Sequence, residues 1–133
     1  MNENTQSQEG GGRRLGASAF ETQEDQTIDI PIKHATTGEA LGNMRLRHVK
    51  MPVIDEYRDI RNGDGRKKGN VPRARKFLFR KIFVSFVPDD PSDTLDLAQG
   101  QSELEFFLPN EKLLDRVLID YLEQTYPDID LKN

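Results

Sequence analysis

Residues 109–126 read PNEKLLDRVLIDYLEQTY, and the spacing of their apolar side chains sets how the rest of the chain must be organised. Leu113, Leu114, Val117, Leu118, Tyr121 and Leu122 recur at helical spacing, which makes one stripe of an α-helix apolar. Glu111, Lys112, Asp115, Arg116, Asp120 and Glu123 fall mostly on the opposite face. Pro109 suits a first turn and Asn110 caps one, so the helix starts there. Pro127 disfavours a helical Tyr126 and ends the run. No other segment has so clean a period, and this helix is expected to close the core.

The surface it closes against lies near the other end of the chain. Residues 27–34, TIDIPIKH, alternate: Ile28, Ile30 and Ile32 face one way, Asp29 and Lys33 the other, as in a half-buried strand. Pro31 lacks an amide donor and argues for an edge position or a bulge. Residues 35–43, ATTGEALGN, hold Gly38 and Gly42 and are expected to turn. Residues 44–49 alternate again, with Met44, Leu46 and either His48 or Val49 inward. The two strands make an antiparallel hairpin, which is marginal alone and needs helices on its apolar face.

Between hairpin and final helix the periods are less clean. After Pro52, the residues Val53, Ile54, Tyr57 and Ile60 form an apolar stripe, and Asn62-Gly63-Asp64-Gly65 stops that helix by strong turn chemistry. Residues 72–87, PRARKFLFRKIFVSFV, fit two periods. As a helix, Ala74, Phe77, Leu78, Lys81 and Ile82 share a face; as a strand, Leu78, Ile82, Val84 and Phe86 oppose Phe77, Phe79 and Phe83. The expectation is a helix over 72–82 capped by Asn70, passing into an extended 83–87. Residues 88–101, PDDPSDTLDLAQGQ, have no period and read as a loop that Leu95 and Leu97 tie to the core. Residues 102–108, SELEFFL, read as a short strand or extended lead-in to the final helix. The expected architecture is α+β: a β-hairpin or small antiparallel sheet on residues 27–126, packed against two or three helices. Residues 1–26, rich in Gly, Asn, Gln, Ser and Glu, are expected to form a disordered tail, and 127–133 a frayed one.

The 133 residues allow one domain, and their 35% apolar content limits it to a small core. Cysteine is absent, which excludes disulfides and thiolate metal sites. No apolar run approaches the roughly 18 residues of a membrane span, and residues 1–20 lack the apolar core of a secretory signal. The net charge of −4 conceals a partition: residues 66–82 carry eight bases and no acid, residues 83–133 twelve acids and three bases. A basic centre beside an acidic end can complement itself or meet partners with either face.

Four constellations bear on chemistry. His34 and His48 could face each other across the hairpin, yet no third ligand stands at useful spacing, and two ordinary strand-end histidines are the expectation. Asp89, Asp90, Asp93 and Asp96 miss the ligand spacing of an EF-hand loop. Gly63, Gly65 and Gly69 with Lys67 and Lys68 evoke a phosphate cradle, but the loop follows a helix and ends Gly-Asn-Val where a P-loop ends in Lys-Ser or Lys-Thr. The basic run Arg66, Lys67, Lys68, Arg73, Arg75, Lys76, Arg80 and Lys81, interleaved with Phe77 and Phe79, could hold a phosphodiester backbone with stacked bases. The overall pI of about 5.2 opposes a dedicated nucleic-acid binder, so an acidic protein partner is favoured over nucleic acid. No nucleophile context appears, and neither catalysis nor a cofactor is expected.

Residues 29–62, DIPIKHATTGEALGNMRLRHVKMPVIDEYRDIRN, carry a resemblance. Their extended segment, TGE-x-LG turn on Gly38, Glu39, Leu41 and Gly42, strand, short break and helix are similar to the tail assembly chaperones of long-tailed bacteriophages. A closing helix like that at 110–126 also fits, and the likeness covers about residues 27–126. The Gly-rich N-terminal tail and the Asp-rich stretch at 88–101 depart from the pattern. The resemblance implies a non-enzymatic protein of the host cytoplasm that binds the tape measure protein and keeps it soluble while the tail tube assembles. Recognition of that kind needs an apolar groove or helix face with a charged rim. Met44, Leu46, Tyr57, Phe79 and Tyr121, with Arg75 and Arg80, are the side chains placed near such a face, and the apolar five serve equally well as core. The alternatives are a nucleic-acid-binding module on residues 66–81 and a structural tail adaptor retained in the particle.

Overall fold

Alternation of Ile28, Ile30 and Ile32 with Asp29 and Lys33 produces the strand it prescribes. In the computed structural model, which describes residues 12–20, 26–129 and 131, strand β1 spans Thr27–Lys33 and pairs antiparallel with β2, Ala40–Arg47. A third strand, β3, spans Phe83–Pro88 and pairs antiparallel with the other side of β2, giving the order β1-β2-β3. Helices α1 (Met51–Asn62), α2 (Val71–Ile82), α3 (Glu103–Phe107) and α4 (Glu111–Thr125) complete an α+β fold. A 3₁₀ turn occupies Ala17–Phe20. The expectation of a disordered tail falls largely on residues 1–11 and 21–25, outside the described residues.

One face of the sheet supplies Ile30, Ile32, Met44 and Leu46 to the core. Above it lie Ala74, Leu78, Phe79 and Ile82 of α2 and Leu114, Val117, Leu118, Tyr121 and Leu122 of α4. Helix α1 packs beside α2 and adds Ile54 and Tyr57. Pro31 lies on β1, an edge strand, where a missing donor costs no ladder bond on the unpaired side, and a bulge follows between Ile32 and Lys33. Across the sheet's outer face Arg45 Nε donates to Asp29 Oδ1 at 3.1 Å.

Asn70 caps α2 as expected, its side chain accepting the Arg73 amide at 3.1 Å. Asn110 does the same for α4, accepting from the Leu113 amide. The buried arc of α2, however, runs through Ala74, Leu78, Phe79 and Ile82 rather than through Phe77 and Lys81. Because α2 lies between α1 and α4, its covered side turns toward Phe79. Phe77 is left half-buried with the Lys81 ammonium 5.6 Å from its ring centroid.

Three boundaries differ from expectation. The hairpin turn is confined to residues 35–39, and Ala40–Asn43 belong to β2, because Gly42 pairs with Ile32 on one side and Pro88 on the other. Residues 103–107 are helical, not extended. Ser102 accepts from the Glu105 amide while Glu105 Oε1 accepts from the Ser102 amide, a capping box whose Ser-x-x-Glu signature precedes the apolar Phe106-Phe107. At the C-terminal end, Ile129 and Leu131 are partly buried against the core, so these two residues are not frayed.

Helix α3 also shields the outer edge of β3. The Glu103 carboxylate accepts the Phe86 amide at 3.0 Å, satisfying a donor that faces away from β2. The β2–β3 ladder carries an irregularity between Arg45 and Leu46, so Phe83 and Phe86 both face inward while Val84 is exposed. Those rings form a column linking α2, β3 and α3. Phe79 stacks on Phe83 at 5.2 Å, and Phe107 sits 6.0 Å from Phe83 and 5.9 Å from Phe86.

Candidate functional site

The two histidines stand at opposite ends of the hairpin, roughly 20 Å of strand apart, and do not meet. His34 Nδ1 accepts the Thr36 and Thr37 amides and so organises the β1–β2 turn. His48 is buried just past β2 against Tyr126, ring centroids 5.5 Å apart. The same junction is held by Tyr121 of α4. Its hydroxyl donates to the Arg47 carbonyl at 2.9 Å and accepts the Val49 amide at 3.2 Å, while the Tyr126 hydroxyl donates to the Val49 carbonyl.

Burial pushes the Tyr121 and Tyr57 phenols above the ordinary tyrosine range. A phenol raised in the folded state loses its proton first in the unfolded chain. Stability from this source is therefore complete below about pH 10 and declines as pH rises beyond it. Tyr121→Phe is expected to cost about 1–3 kcal/mol at neutral pH, because Val49 N–H and Arg47 C=O lose a buried partner. The same variant should show a shallower loss of stability as pH rises above about 10, which urea titrations at stepped pH would measure.

The acidic loop and the glycine loop are both occupied with their own backbone. The Asp90 carboxylate, held below the usual carboxylate range by the Ser92 amide, closes a turn with the amide and hydroxyl of that serine. The Asp64 Oδ1 accepts the Arg66 and Lys67 amides, which also depresses its pKa, with Lys67 the larger cause. Gly63 bridges to Lys68 to close the loop. Two amides that a phosphate would need are thus already donated. Among the described residues no group of three or more His, Cys, Asp or Glu side chains is arranged to hold a metal ion.

The side chains placed near a partner-binding face separate into two sets. Met44, Leu46, Phe79 and Tyr121 are wholly buried and Tyr57 nearly so. In the folded monomer they are core, because the sheet face and α2 are both covered. Arg75 is half-exposed and engaged, with Nη2 3.0 Å from Asp115 and Nη1 3.9 Å from Glu111, so it ties α2 to α4. Arg80 is exposed.

A surface able to receive an apolar partner lies elsewhere. A groove of about 720 Å³ opens between the hairpin turn, the acidic loop, α3 and the start of α4. Ile32, Leu41, Phe86, Phe106, Phe107 and Leu113 are its apolar lining. Lys33, Lys112 and Arg116 stand along it from β1 and α4, and Asp93 and Asp96 from the loop. Leu95 is partly buried against the core and anchors that loop, whereas Leu97 is exposed. Four separate stretches of chain build this groove, so no local pattern announces it. The alternation that placed Ile32 and the period that placed Leu113 were the only signals available. Comparison with protein-family models, with curated proteins and with solved structures finds no match.

Proposed function

We propose that this chain is a non-catalytic binding domain that receives an apolar segment of another polypeptide in the groove beside α4. The single observation that supports this reading is the groove's make-up: aromatic and aliphatic side chains line it, together with basic residues from β1 and α4 and acidic residues from the loop. An amphipathic helix offers the matching pattern, with apolar anchors at i, i+3, i+4 and i+7 and charged flanks. The resemblance of residues 29–62 to tail assembly chaperones of long-tailed phages makes the tape measure protein the partner of choice. A long helical protein awaiting its tube carries many such segments, and a bound chaperone keeps them soluble by mass action.

Co-expression of this chain with a tape measure fragment tests the reading: a soluble complex is expected, and an insoluble fragment with no complex overturns it. Leu113 lines the groove and is only partly buried, so Leu113→Gln should leave α4 folded and lower capture about tenfold or more. Burying one leucine against a partner is worth about 1.5–3 kcal/mol. Mass spectrometry of purified particles separates a released chaperone from an adaptor retained at fixed copy number.

A further inference from the structure

The α1–α2 side of the molecule carries a run of bases outside any ion pair among the described residues. Arg66, Lys67 and Lys68 are exposed in the loop, and Arg73, Arg80 and Lys81 are exposed on α2 with Lys76 half-exposed beside them. Among the described residues none of these seven belongs to an ion pair. On α2 the buried positions Ala74, Leu78 and Ile82 fix the opposite side of the helix as the crest, where Arg73, Lys76 and Arg80 follow one another at i, i+3 and i+7. Successive charges along that crest rise about 4.5–6 Å. The crest runs toward the loop bases, because α2 begins at Val71, just after them.

This arrangement works against the helix that bears it. Like charges at i,i+3 and i,i+4 repel, and no acidic residue sits in the first turn to complement the positive end of the helix dipole. Elsewhere the chain avoids the problem: α1 pairs Arg58 with Asp55, and α4 offers Glu111 and Asp115 to Arg75. Glu56 shares a shallow groove with Arg73, Arg80 and Lys81, and Asp64 lies in the loop. The apolar side chains lining that groove are Ile60 and Phe77, both partly buried against the core. A protein interface draws its energy from a desolvated apolar centre. A polyanion needs none, since release of its condensed counterions supplies the affinity.

We infer that the α2 crest and the α1–α2 loop form a docking surface for the phosphodiester backbone of a nucleic acid, read without base specificity. Twelve of the chain's 23 acidic residues lie after residue 88, on elements other than α1 and α2, so the net charge understates this face. The surface is separate from the apolar groove, and the two activities can fail independently.

The test is fluorescence anisotropy of the full chain with labelled 20-nucleotide DNA and RNA, single- and double-stranded, at 50 and 200 mM salt. The expected result is binding at low salt that weakens at least a hundredfold across that range. Arg73→Gln/Lys76→Gln/Arg80→Gln, and separately Arg66→Gln/Lys67→Gln/Lys68→Gln, should each reduce the log–log salt slope by roughly 2–3. Removing like charges should leave the circular-dichroism melt of the first variant unchanged or higher. The groove variant Lys33→Gln/Lys112→Gln/Arg116→Gln should bind like the parent. No binding of any oligonucleotide at 50 mM salt overturns the inference, as does an unchanged slope in both stripe variants. Loss of binding in the groove variant, or polyglutamate binding that oligonucleotides fail to displace, overturns it equally and assigns the stripe to an acidic polypeptide.

Discussion

Phe79→Ala is expected to lower the unfolding free energy by about 3–5 kcal/mol, the cost of deleting a large buried ring whose surroundings collapse only in part. Phe79 is wholly buried on α2 and stacks on Phe83, the first ring of β3. Phe83 in turn meets Phe107 of α3, which meets Phe86. The truncation therefore loosens three elements at once, and the void lies where they converge. Domains of this size are stable by about 5–15 kcal/mol, so the melting temperature should fall by roughly 15 °C or more. Phe77→Ala, two residues away on the same helix, is the control. Its half-buried ring faces the α1–α2 surface, and its loss should cost well under half as much. Equal losses in calorimetry would show that the buried face of α2 has been assigned to the wrong side.

Gly42→Ala is expected to unpair β3 from β2. A Cβ on residue 42 would lie 2.3 Å from the Val87 carbonyl oxygen and 2.7 Å from Pro88 Cα. Both neighbours are backbone, so no rotamer change relieves the contact and the strands themselves must separate. Overpacking of this kind costs about 1–3 kcal/mol and more when the obstacle cannot move. The loss should be local as well as global. Amide exchange in β3 should accelerate while the β1–β2 ladder near Ile28 and Leu46 keeps its protection. Gly38→Ala gives the contrast: its φ of +76° is strained for alanine, but no atom lies within 4 Å of the added Cβ. That variant should lose only about 1 kcal/mol and leave β3 protected. Equal protection of β3 in both variants would mean that the approach of β3 to Gly42 is not what holds the sheet's far edge.

Much of this fold follows from neighbours a few residues apart. The leucines of α4 recur at 3.6, and Asn110 and Pro127 bracket them. The isoleucines of β1 alternate at 2, and Pro31 marks its strand as an edge. Asn70 announces α2 by offering its side chain to the Arg73 amide. Such features rest on steric and hydrogen-bonding rules that operate within a turn or two, and they are legible wherever they occur. Ser102-x-x-Glu105 belongs to the same class. The capping box was present in the letters, and the β-like run SELEFFL obscured it.

Placement across long sequence distances had no such signature. Nothing local says that β3, which begins at Phe83, returns to lie against β2, which ends at Arg47, or that α2 is flanked by α1 and α4 and so turns Phe79 inward and Phe77 out. The same ignorance put Met44, Leu46, Tyr57 and Tyr121 near a partner-binding face, since an apolar side chain looks alike whether its cover is its own chain or another. The candidate groove is a product of that assembly, built from the hairpin turn, the acidic loop, α3 and α4. From its letters alone this protein determines which segments coil, which extend, and which of their faces shun water. Which of those faces meet one another, and therefore which apolar and which charged surfaces stay open to a partner, is decided only when the chain folds, because burial is a property of pairs of elements and not of any one.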